Sequence, residues 1–246
     1  MRYELMFPHQ IRKAIDENWP IVLPLGVLEY HGEHCVNGVD TLLVVRAFEA
    51  LEKEMDLVLM PAFWYGAASV AVGPTAASGT LPVRAESILP FAKELFTQLL
   101  KNGFRNIHAF VHHQSENFKA GMPTDLAFRF AARQIIFDFL DREKGEGWWG
   151  REEMRHYYAS REAGADPFSW ISVHPLMAEE VQKKYPIDHA GLQETSLMMA
   201  FCPEGVDMAK FDSKLWYCET GASASLAYGQ EARREILASL KKTLGG

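Results

Sequence analysis

Apolar residues recur along the chain in two alternating patterns. Short continuous runs, "IVLPLG" (21–26), "DLVLMPAFW" (56–64) and "RNIHAFVHH" (105–113), read as buried strands. Between them the spacing is helical. Ile11, Ala14 and Ile15 share one face between Phe7 and Trp19. "TLLVVRAFEALEKEM" follows the first strand, with Asp40 or Thr41 placed to cap it. Ile88, Ala92, Leu95 and Leu99 fall at i, i+4, i+7 and i+11 of a helix closed by Gly103. The pattern then predicts a helix around 118–133 and a fourth strand, "QIIFDFL" (134–140). A charged surface excursion over 141–165 and a terminal amphipathic helix from Ser223 to Leu244 complete it. Strands alternating with helices predict an α/β fold, a mostly parallel sheet with helices on both faces. No repeat or shift in composition divides the chain, so residues 1–246 are expected to form a single domain.

Composition narrows the partner. Hydrophobic residues make up 48% and charged residues 23%, ordinary for a soluble globular protein. A net charge of -7 with no basic run argues against nucleic acid, because phosphate binding needs surplus Lys and Arg. No apolar stretch has membrane-spanning length, and "MRYELMFPHQ" holds no apolar signal core. Cys35, Cys202 and Cys218 form no CxxC pair. A cytoplasmic protein acting on a small molecule is the expectation.

Three polar clusters stand where an open α/β sheet builds its sites, past strand ends and at helix starts. The first is "LEYHGEHCVNGVD", in which Glu29 and His31 are two apart and point to the same side of an extended chain. Asp40 follows nine residues after His31, beyond a loop containing Gly32 and Gly38. The second is "HHQSEN" (112–117), and the third is "DHAGLQETS" (188–196). Carboxylate with imidazole suits Zn or Mn, one or two ions per chain. Asp40 can bridge two ions, and Glu29, Asp40 and Glu116 together offset three of four positive charges. The remaining histidines read more plainly. His34 is a loop or supporting residue, His108 a core histidine and His174 a helix start before Pro175. GxSxG, GxGxxG and the phosphate-loop pattern are all absent.

These residues resemble the creatininase (creatinine amidohydrolase) family. "PLGVLEYHGEHCVNGVD" matches the family pattern P-x-G-S-x-E-Q-H-G-x-H-L-P-x-x-T-D without a gap. "HAGLQETS" matches H-A-G-x-x-E-T-S, and "FCPEGVDM" and the "GT" of "ASGTLPV" also resemble family segments. The resemblance implies a three-layer α/β hydrolase, commonly a hexamer, that opens a small cyclic substrate with metal-activated water. It makes Glu29, His31, Asp40 and Glu116 metal ligands, His189 the catalytic proton carrier and Glu194 its neighbour at the water. Ser115 and Tyr185 become substrate contacts, with Tyr185 standing where creatininase proper has a gating Trp. The departure is "VHHQSEN", where the gapless reading puts Gln114 in place of the ligand His; a local bulge would bring His113 there instead. Hydrolysis of a cyclic amide C–N bond is the leading expectation. The alternatives are C–C hydrolysis of a cyclic diketone such as an oxidised inositol, and a silent metal-binding assembly subunit.

Overall fold

A parallel sheet with strand order β2-β1-β3-β4 organises the computed structural model, which describes residues 1–245. Its strands are β1 (Ile21–Leu25), β2 (Val58–Leu59), β3 (Ile107–Val111) and β4 (Ile171–Pro175). Ile21 stands opposite Val58 and Ile107, and Ile107 opposite Ile171. In chain order the helices are α1 (Pro8–Asp16), α2 (Val39–Leu51), α3 (Thr75–Ser78), α4 (Ala85–Asn102) and α5 (Pro123–Lys144). They continue with α6 (Tyr157–Glu162), α7 (Glu179–Lys184), α8 (Leu192–Phe201) and α9 (Leu226–Thr243).

The period-2 alternation of the strands assigns each face to its own core. Ile21, Leu23, Leu25, Ile107, Ala109 and Val111 point into one cluster with Ile88, Phe96, Phe128 and Ile136 of α4 and α5. Val22 and Phe110 point the other way, onto Leu43, Phe48, Leu197 and Ile236 of α2, α8 and α9. Covering both faces explains why β1 is apolar throughout and wholly buried. On the second face α8 and α9 pack so closely that a Cβ on Gly229 would lie 1.9 Å from the Ser196 carbonyl oxygen. Among the described residues, no helix is long and apolar enough to cross a membrane.

Three local expectations are corrected. "QIIFDFL" is not a strand; it continues α5, because Ala131, Ala132, Ile135, Ile136 and Leu140 carry the helical stripe of Ala127 and Phe128 straight through it. The fourth strand is instead Ile171–Pro175, and His174 lies within it rather than at a helix start. Gly38 occupies the N-cap of α2, so Asp40 lies in the first helical turn and caps nothing, while the Thr41 hydroxyl donates to the Val27 carbonyl at 3.2 Å.

Candidate metal centre

The carboxyl ends of β1 and β3 and the first turns of α2 and α8 converge on one cavity of about 390 Å³. Glu29 and His31 arrive on the loop after β1, Asp40 from α2, His113 from the end of β3 and Glu194 from α8. All five are at most 4% exposed. Their donor atoms form two interlocked sets, each within 4.8 Å: Glu29, Asp40 and His113, and His31, Asp40 and Glu194. A third set of the same reach joins Glu29 and His31 to His189. Asp40 belongs to the first two.

The separations within these sets are those of atoms facing a common centre rather than bonding each other. His31 Nε2 stands 3.5 Å from Asp40 Oδ2 and 3.4 Å from Glu194 Oε2. His113 Nδ1 stands 3.3 Å from Glu29 Oε2 and 3.6 Å from Asp40 Oδ2. His31 Nε2 and Asp40 Oδ2 are buried and make no hydrogen bond. Polar atoms this deep are normally paired, so unpartnered donors aimed at one point fit a divalent cation. The chemistry of the set fits too, since imidazole with carboxylate is what Zn or Mn takes.

Hydrogen bonds fix how these side chains point. His31 Nδ1–H donates to the Glu29 carbonyl at 2.9 Å, which leaves Nε2 as the lone-pair nitrogen facing Asp40 and Glu194. His112 Nε2–H donates to Glu194 Oε1 at 3.1 Å, and the Ala190 amide donates to Oε2 at 2.7 Å. Asp188 accepts from the amides of Gly191, Gln193 and Glu194 and so closes the start of α8. His34 Nε2–H meets the carbonyl of Ala190, whose left-handed backbone (φ 54°) follows His189 directly. His189 is itself half-buried, its ring stacked on His31 at 4.3 Å, and its Nε2–H donates to the Tyr30 carbonyl at 2.8 Å.

Without a cation, protons fill the same electrostatic role. Burial opposes charge on His113, but Asp40 and Glu29 outweigh it and hold the imidazole up to about 9. His31 is raised in the same way by Asp40 and Glu194. Asp40 is held below the ordinary carboxylate range by His31 and His113 despite its burial, and Glu194 by His31 and His112. Burial wins only at Glu29, whose pKa rises against the pull of His113.

The second cluster is where sequence and geometry part. Gln114 has a left-handed backbone (φ 48°, ψ 31°) and starts the short turn Ser115–Asn117. His113 Nδ1 stands against Glu29 and Asp40, and Gln114 lines the same cavity beside it. Gln114 and Glu116 both line the cavity, but Glu116 is exposed and belongs to none of the donor sets found among the described residues. Ser115 is buried and lies off the cavity lining. Tyr185 is also off it: at the end of α7 it packs edge-on against Tyr228 of α9, 5.3 Å between ring centres. Sequence reasoning gave no role to His112 or Asp188. The signal for Asp188 was its place three residues before the Gly191 N-cap of α8; His112 carried none.

The creatininase family profile, described as creatinine amidohydrolase, matches residues 4–233. The chain is 25% identical over 190 residues to the creatinine amidohydrolase of Pseudomonas putida, spanning 76% of this chain and 66% of that one. It is 27% identical over 103 residues to the 3-dehydro-scyllo-inosose hydrolase of Thermotoga maritima, spanning 42% and 32%. The chain thus matches somewhat less than two thirds of the first relative's length and about a third of the second's. Among solved structures, a manganese creatininase superposes with a TM-score of 0.72 at 18% identity, covering 99% of this chain and 96% of that one. A mutant creatininase of Zn-Zn type gives 0.70 at 19% identity, with the same coverage. These likenesses establish a shared fold.

Proposed function

Because the chain belongs to the creatininase family, we propose that it is a metal-dependent hydrolase that opens a small cyclic substrate at a ring carbonyl. The observation that carries this reading is the pair of donor sets meeting on Asp40, with His31 Nε2 and Asp40 Oδ2 buried and unpartnered between them. Glu29, Asp40 and His113 would hold one ion, and His31, Asp40 and Glu194 the other. When bound, Zn or Mn supplies a water activated at neutral pH and polarises the carbonyl under attack.

The chain's own groups do the rest. His189 uses Nε2–H on the Tyr30 carbonyl, so Nδ1 is the nitrogen free to pass a proton to the departing group. Asp188, through the first turn of α8, and His112 and Ala190, through its carboxylate, keep Glu194 in place. For a cyclic amide, water adds across the C–N bond, leaving a carboxylate and an amine that takes the proton from His189. A second reading is supported by the similarity to the inosose hydrolase. There the same attack on a cyclic diketone breaks a C–C bond, and the proton goes to the carbon leaving as an enolate.

Chelated protein reloaded with Mn or Zn, then screened against cyclic amides and cyclic diketones, tests both. Metal-dependent release of an amine supports the first reading and a ring-opened keto acid the second. No turnover of either class, with metal bound, would leave a silent metal-binding subunit. The resemblance also supports a homo-oligomer, with a hexamer as the assembly that sedimentation should find.

A further inference from the structure

The turn that delivers His113 leaves one carboxylate without work. Glu116 lines the same cavity, is exposed, and accepts a hydrogen bond only from its neighbour Asn117, at 3.2 Å, among the described residues. No Lys or Arg lines the cavity to answer its charge. Two divalent ions would bring four positive charges, which Glu29, Asp40 and Glu194 with one ionised water would offset, and Glu116 lies outside both donor sets. At the same cavity Trp216 is 79% exposed, an unusual place for the largest apolar side chain. Tyr217 beside it packs its ring 5.7 Å from that of His189. Ala71, Val72 and Ile187 add apolar wall, with Ser69, Gln114 and Asp188 as further polar lining; Asp188 is already engaged by the amides at the start of α8.

A carboxylate and an open aromatic face on one cavity are the two elements that recognise an ammonium group, by charge pairing and by attraction to the ring. An anionic ligand meets repulsion at Glu116, and a neutral one without O–H or N–H donors takes water from that carboxylate and returns nothing. We propose that the substrate of this site carries an ammonium group outside its scissile ring, and that Glu116 and Trp216 bind this group and set specificity. The proposal rests on the reading of the cavity as a hydrolase active site.

Choline and its neutral isostere 3,3-dimethyl-1-butanol test it, because the quaternary nitrogen cannot ligate a metal. Titrated by NMR into the Zn-loaded protein, choline is expected to bind about fivefold tighter than the alcohol. Glu116→Gln and Trp216→Leu should each cut that preference to about twofold or less, with zinc content unchanged. Equal binding of the two probes, or an undiminished preference in either variant, overturns the proposal. So does loss of zinc in Glu116→Gln, which would make Glu116 a metal ligand. Failure of the hydrolase reading shows elsewhere, as absent metal-dependent turnover, while the probe preference is measured without any turnover.

Discussion

Asp40 is the residue that both donor sets share, its Oδ2 standing 3.5 Å from His31 Nε2 and 3.6 Å from His113 Nδ1. Asp40→Ala is therefore expected to lose both ions on dialysis, read by elemental analysis; retention of either would remove the bridge from the account. His189→Ala should behave differently, keeping its metal while turnover falls by roughly 10²–10⁴-fold, as for loss of a general acid. Full activity in that variant would mean the proton comes from another group. Glu29, His31, Asp40, His189 and Glu194, picked out by ungapped motifs, are brought together in the structure, with Glu194 among the donors where the resemblance put it beside the water. The "VHHQSEN" segment left Gln114 and His113 both open, because the backbone at Gln114 is left-handed and no local pattern announces a positive φ at glutamine; the structure sets His113 against Glu29 and Asp40. Glu116, expected among the metal ligands, stands outside the donor sets of the described residues.

At the scale of elements, β1, β3 and the helices after them were readable because burial on both faces makes strands continuously apolar. The "QIIFDFL" segment misled because its Ile and Phe residues favour strands locally while its buried positions keep the helical period of α5. β4 was hidden for the opposite reason, as a half-buried strand at the sheet's edge whose residues His174 and Pro175 look unlike a core strand. There His174 Nε2–H donates to His108 Nδ1 at 3.0 Å, and His108 Nε2–H donates to Asn106 at 2.8 Å. Burial pushes both imidazoles down to about 4, and at His108 the neighbouring His174 adds to the effect. Between pH 6.5 and 4 the unfolded chain therefore takes up protons that the fold refuses, and stability falls as pH falls; above 6.5 the pair contributes no slope. Replacing both by Gln should remove part of this loss, on the order of 2–3 kcal/mol between pH 7 and pH 4, in urea titrations at the two values. An unchanged slope would mean the pair titrates normally. The α8–α9 contact gives a second test, because Gly229→Ala has to push the helices apart and should cost about 2 kcal/mol or more in the same measurement.

For the molecule as a whole, the sheet edge carries three buried carboxylates, Glu29, Asp40 and Glu194, with no Lys or Arg lining the cavity. A fold built around such a cluster gains stability from whatever cation binds it, so Zn or Mn should raise the melting temperature and chelation lower it. The central proposal is narrower: the site takes two ions, and His113 rather than Gln114 completes the set of Glu29 and Asp40. The direct measurement is zinc per chain by elemental analysis after identical dialysis of the wild type, His113→Ala and Gln114→Ala. The account predicts two ions in the wild type and in Gln114→Ala, and one in His113→Ala. A wild type holding a single ion, or a Gln114→Ala that loses zinc while His113→Ala keeps it, would contradict it.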